Sequence, residues 1–189
     1  MTAPALPSAP LVLVVPGLGG SGPAHWQTRW EALYPRHRRV QQRDWDHPDR
    51  EDWLATLGAA LEAAAEPAVL VAHSLGCILV AHAAARPFAA RIAAALLVAP
   101  ADVDSFDPAF APTRSFAPVP LDRLPFPATV VASRNDPYAT LARARLFAGA
   151  WGSELVDLGS CGHINADSGL DDWPLGRRLF EALLTRAAR

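Results

Sequence analysis

Ser74 stands in the run Ala72-His73-Ser74-Leu75-Gly76, where a short apolar stretch gives way to a helical pattern. A serine in that setting can serve as an acyl-transfer nucleophile. A strained strand-to-helix turn holds its hydroxyl clear of the sheet, and so tight a turn demands small residues two positions to either side. Gly76 meets that demand. Ala72 stands where Gly is usual, and its methyl is still small. Taken alone, the pentapeptide also fits a serine capping a helix. A capping box would place Glu or Gln at the position that Cys77 holds.

A serine hydroxyl needs a base, and the base needs an acid to orient it. Two later segments supply them in the order Ser, acid, His. Asp136 lies in Ser133-Arg134-Asn135-Asp136-Pro137, and His163 in Gly159-Ser160-Cys161-Gly162-His163-Ile164-Asn165. Each follows a strand-like run, so all three fall at the carboxyl edge of one sheet, where ligands bind in open α/β folds. Asp136 before Pro137 also suits a helix cap, and Asp102 and Asp104 are rival acids after the preceding strand. Asp136 is preferred for its place in the order. Among rival bases, His73 adjoins Ser74, but at a strand end its side chain points away from the hydroxyl. His37 and His47 lie in polar stretches, and His82 lies mid-helix.

Acyl transfer also needs donors for the developing oxyanion. The backbone N–H of Leu75 is one. The other is expected from the loop Pro16-Gly17-Leu18-Gly19-Gly20-Ser21-Gly22, with Leu18 the first choice and Gly19 next. Gly17, Gly19, His25 and Trp45 are the candidate substrate contacts. His25 equally fits a cap or a packing partner of Trp26, and Trp45 a loop-packing role. Gly17, Gly19 and Gly22 also spell GxGxxG. That reading lacks an acidic residue at the end of the second strand, since Asp44 and Asp46 come later, and no Gly-Lys-Ser/Thr follows.

The elements that position these residues alternate. Apolar runs at Leu11–Val15, Ala68–Ala72, Ile92–Ala99 and Ala128–Ala132 read as strands, Glu154–Leu158 reads as the last strand, and Arg39–Gln42 as a weaker second one. Between them, helical spacing predicts helices over His25–Tyr34, from Asp49 to about Ala65, over Leu75–Ala85, from Pro137 to about Ala150 and over Leu175–Arg186. Trp26, Trp30, Trp53 and Trp151 fall at core positions, and Trp173 is placed to anchor the loop bearing His163. Pro100–Pro127, with five further prolines inside it, reads as irregular and as a wall of the binding site. Six strands separated by helices imply a parallel sheet covered on both faces, a three-layer α/β/α sandwich.

Composition narrows the partners. The 189 residues fit one domain, expected over 11–189 behind a flexible tail at 1–10. Seventeen Lys and Arg stand against nineteen Asp and Glu, and the basic run Arg36-His37-Arg38-Arg39 is too short to mark a nucleic-acid surface. No stretch approaches the ~20 apolar residues of a membrane span. Cys77 and Cys161 are too few and too far apart for a zinc site or a disulfide framework. The expectation is a cytoplasmic enzyme acting on a small molecule, without metal or organic cofactor.

As a set, these motifs, with His25-Trp26, Asp44-Trp45-Asp46-His47-Pro48 and Tyr138 after Pro137, resemble the small serine hydrolases related to retinoblastoma-binding protein 9, including the bacterial YdeN-type members. The resemblance runs from Val12 to the last helix. It implies a reduced α/β-hydrolase fold: six parallel strands in the order 2-1-3-4-5-6, without two extra leading strands and without a large lid. It implies Ser74, Asp136 and His163 as the triad, acting on an ester or amide. Two rivals stand beside that expectation: an interaction module on an idle hydrolase scaffold, and an acyltransferase.

Overall fold

Val12–Val15 forms the first strand, β1, and all four of its residues are buried. Its unbroken apolar run requires this, because both faces of a parallel strand are covered. The computed structural model describes residues 9–105 and 108–188, so most of the expected tail lies outside the described residues. Five more strands follow: β2 (His37–Arg39), β3 (Ala68–His73), β4 (Ile92–Val98), β5 (Ala128–Ala132) and β6 (Glu154–Asp157). All pair in parallel, in the order β2-β1-β3-β4-β5-β6. The chain therefore winds outward from β1 to β2, then returns past β1 to β3. The loops leaving β1 and β3 meet at that switch point.

The helices are α1 (Trp26–Leu33), α2 (Arg50–Glu62), α3 (Leu75–Ala83), α4 (Leu141–Trp151) and α5 (Pro174–Ala187). Strand alternation divides their partners. On β3, Leu70 and Ala72 join a core built with α2, α3 and α4, including Trp53, Leu57, Ile78 and Phe147. Val69 and Val71 face the other side, with Trp26 and Trp30 of α1 and Phe180 and Leu183 of α5. These two apolar layers make the sandwich. No helix among the described residues is long and apolar enough to cross a membrane.

Most element ends lie within one to three residues of the sequence reading, and three segments differ in substance. The second strand is His37–Arg39 rather than Arg39–Gln42. The His37 ring is drawn in among Trp30, Tyr34 and Phe180, and the ladder ends where Val40 donates its N–H to the Val14 carbonyl. The fourth helix starts at Leu141, not Pro137, because Thr140 is its cap and accepts from the Arg143 N–H. The Pro-rich stretch is not wholly irregular: Pro108–Phe116 is 3₁₀-helical. It packs Phe116 into the core, and the His82 side chain meets the Phe116 carbonyl at 2.7 Å.

Candidate active site

Ser74 adopts φ 56°, ψ −122° between β3 and α3. A non-glycine residue in that region stores about 1–3 kcal/mol of strain, held only by an over-determined surround. That surround is the adjacent strand. A Cβ on Gly76 would lie 2.3 Å from the Val15 carbonyl oxygen and 2.7 Å from that of Pro16, so only glycine lets α3 start this close to β1. Ala72, by contrast, is a fully buried strand residue paired in register with Val15. The Ser74 hydroxyl makes no capping bond to its own helix. It lies instead 2.9 Å from His163 Nε2.

His163 Nδ1 lies 2.9 Å from both carboxylate oxygens of Asp136, and the two side chains are only 8% and 3% exposed. The fold brings Ser74, Asp136 and His163 within hydrogen-bonding reach of one another. It does so by tying the two loops that carry the acid and the base. Ser133 Oγ accepts the Cys161 N–H, Asn135 Oδ1 accepts the Gly162 N–H, and the Arg134 N–H donates to the Gly159 carbonyl. Ser133 and Asn135 were missed in the sequence. Their only signal was short polar side chains flanking an acid at a strand end. The rival acids are engaged elsewhere: Asp102 and Asp104 both receive Arg143 at 2.8 Å, and Asp104 also accepts the Val119 N–H.

The far side of the His163 loop is gripped by α1. Trp26 Nε1–H donates to the Ile164 carbonyl, and Trp30 Nε1–H to that of Asp172. Trp173 packs against both indoles, the anchoring role expected of it. His73 points away from the Ser74 hydroxyl, as its strand position requires, and its Nε2 lies 2.9 Å from the His163 carbonyl oxygen. Burial pushes the His73 pKa well below the ordinary imidazole value, so the ring is neutral and can donate to that carbonyl.

The glycine-rich loop after β1 lies against the turn at Ser74. A Cβ on Gly17 would sit 2.8 Å from Ser74 Cβ and 3.0 Å from the Leu75 nitrogen. The Gly19 N–H is spent on the Trp45 carbonyl at 3.0 Å, whereas Leu18, the other candidate of the loop, lines the cavity over Ser74. Arg39 fixes the loop from behind. Its guanidinium meets the carbonyls of Gly20 and Ser21, the Thr28 hydroxyl and the Glu31 carboxylate. Gln27 adds a bond from Ser21 Oγ and donates to the Val71 carbonyl.

A cavity of about 280 Å³ opens over Ser74, walled by Leu18, His25, Leu75, Thr113, Tyr138 and Asn165 among others. Of the four candidate substrate contacts, Gly19 and His25 line it. Gly17 and Trp45 do not: Gly17 is wedged beneath the Ser74 turn, and the Trp45 ring lies against Gly20 and Trp53. The two act on the loop's shape from behind rather than on a ligand. Ala101 and Thr113 bring the Pro-rich segment into the wall. Among the described residues, no Asp, Glu, Lys or Arg is part of that wall. Among the described residues, no group of three His, Cys, Asp or Glu is arranged to hold a metal ion.

Ser74, His163 and Asp136 thus form one hydrogen-bonded row beside the cavity. The profile of the family described as serine hydrolase matches residues 12–182. A solved structure described as that of a YdeN-like hydrolase from Pectobacterium atrosepticum is 34% identical, with a TM-score of 0.80 over 92% of this chain and 90% of its own. The ydeN gene product of Bacillus subtilis is 19% identical, TM-score 0.68, over 92% and 98% of the two chains. Est1E from Butyrivibrio proteoclasticus is 16% identical, TM-score 0.69, over 95% and 89%, a likeness of fold alone. A search of curated proteins by sequence finds no match. The chain belongs to the serine hydrolase family and has its α/β-hydrolase fold.

Proposed function

We propose that the protein cleaves an ester or amide bond of a small, uncharged substrate through a Ser74–His163–Asp136 triad and an acyl-enzyme intermediate. One observation carries this reading. The His163 ring bridges the Ser74 hydroxyl and the Asp136 carboxylate at 2.9 Å on each side, beside an open cavity.

His163 Nδ1–H donates to Asp136, which leaves Nε2 free to accept the Ser74 proton as Oγ attacks the carbonyl carbon. The Leu75 N–H, at the N-terminus of α3, and the Leu18 N–H hold the oxyanion. Collapse of the tetrahedral intermediate breaks the bond to the leaving alcohol or amine, which takes the proton from His163. Water then attacks the acyl-enzyme, giving its proton to the same nitrogen, and the acid departs. The uncharged lining of the cavity among the described residues supports an uncharged acyl group, and its volume supports a small one.

A fluorophosphonate probe tests the nucleophile, and p-nitrophenyl esters test the reaction. Labelling at Ser74 and ester hydrolysis, both abolished in Ser74→Ala, are the expected result. Folded protein that neither labels nor turns over would favour the idle interaction module. Preferred transfer to an added alcohol or amine over water would favour the acyltransferase.

A further inference from the structure

The His25 ring is 4% exposed, caps α1 and forms part of the wall of the cavity over Ser74. Its Nδ1 accepts the Gln27 N–H at 3.1 Å. Burial lowers its pKa to about 4, aided by the nearby Arg39 guanidinium and His163, so the ring is neutral at neutral pH. A neutral imidazole that accepts at Nδ1 carries its proton on Nε2. That Nε2–H is buried and has no hydrogen-bond partner among the described residues.

A buried donor left unmade costs about 1–3 kcal/mol. Capping does not justify the cost, since Asn, Asp or Ser cap a helix at least as well with a shorter side chain. The two ring nitrogens point in widely divergent directions. With Nδ1 turned to α1, Nε2–H is turned away from that helix. The ring as a whole packs against two others, His73 at 4.6 Å and Trp26 at 5.3 Å between centroids, and no hydrogen bond joins Nε2 to either. With no Lys or Arg among the described residues of the wall, the fitting acceptor is a neutral oxygen rather than a carboxylate.

Building on the serine hydrolase reading, we infer that His25 is a specificity-determining donor: its Nε2–H binds a neutral ether, hydroxyl or carbonyl oxygen carried by the substrate close to the scissile carbonyl. The substrate class is then a small oxygen-bearing ester or amide, not a plain alkyl one.

The test is His25→Asn. Asn Oδ1 still accepts the Gln27 N–H, so the cap is kept while the far donor is removed. Two isosteric pairs probe it: p-nitrophenyl methoxyacetate against p-nitrophenyl butyrate for the acyl side, and 2-methoxyethyl acetate against butyl acetate for the alcohol side. Each pair exchanges one CH₂ for oxygen. The expected result is an unchanged Tm and, in one pair, a fall in kcat/KM roughly tenfold larger for the ether than for the hydrocarbon, the size of one lost hydrogen bond. Equal falls within both pairs, or none, would make His25 a cap only and overturn the inference. Binding of the same four esters to Ser74→Ala and Ser74→Ala/His25→Asn proteins reads the donor without turnover. Equal affinities there defeat this inference, whereas failure of fluorophosphonate labelling defeats the hydrolase reading.

Discussion

His73 Nε2 lies 2.9 Å from the backbone carbonyl of His163, so the residue before the serine holds the main chain of the residue that faces the serine. Alternation along β3 turns His73 toward α1, the side on which the His163 loop is packed. One strand end therefore presents the hydroxyl and fixes the distance to its base. His73 is a positioning residue in this reading. His73→Leu is expected to lower kcat roughly tenfold to a hundredfold with KM little changed, the scale of a small misplacement of reacting groups. His73→Gln, whose amide still donates, should restore most of it. Unaltered kcat in folded His73→Leu would remove the role.

The choice of acid is equally open to test. Asp136 faces His163 with its side chain almost wholly buried, whereas Asp102 and Asp104 are held by Arg143. Asp136→Asn keeps the size of the group but reverses the preferred imidazole tautomer, and kcat is expected to fall about 10⁴-fold. Asp102→Asn should leave kcat within a few-fold. Ser74→Ala, measured beside them, should cost about a million-fold. The opposite ranking of the two aspartates would move the acid to the end of β4.

The order of these side chains along the chain made the candidate triad legible, because each follows a segment that reads as a strand, and topology brings strand ends to one rim. The supports were not legible. Ser133 and Asn135 reach a loop more than twenty residues away. Arg39 looked like part of a solvated basic run and instead clamps Gly20 and Ser21. Trp45 has the composition of a ligand contact, but the Gly19 N–H bonds its carbonyl and turns it behind the loop. Asp136 before Pro137 has the local signature of a cap. Its carboxylate does accept the Tyr138 N–H, yet the helix waits for Thr140. In each case a long-range partner overrode a locally sound reading.

The small residues flanking Ser74 carry unequal loads. Gly76→Ala would press a methyl to within 2.3 Å of the Val15 carbonyl oxygen, where backbone must move. The expected outcome is a loss of several kcal/mol, on the scale of overpacking at a rigid site, with loss of fluorophosphonate labelling at temperatures where the protein remains folded. Ala72→Gly creates no clash and should cost only about 0.5–1 kcal/mol, the penalty of glycine in a strand. Denaturant titration of the two variants checks the contrast. Equal destabilisation would mean that the close approach of α3 to β1 does not hold the turn.

Stability should fall in mild acid, and His37 offers a place to see why. It is buried beside Trp30, Tyr34 and Phe180, and neither ring nitrogen has a partner among the described residues. Burial, reinforced by the Arg177 guanidinium, lowers its pKa to about 4, against about 6.5 in an unfolded chain. Between those values the unfolded chain binds a proton that the folded one refuses, so stability is full above pH 6.5 and is lost as pH falls toward 4. At about 1.4 kcal/mol per pH unit, His37 alone loses on the order of 2 kcal/mol by pH 5. His25 and His73 act in the same direction. His37→Leu removes one of the three without touching the cavity. Its unfolding free energy should drop less than that of the wild type between pH 7.5 and pH 5, while activity at pH 7.5 is retained. Parallel losses in the two proteins would show that the His37 ring takes up its proton without unfolding the aromatic cluster around it.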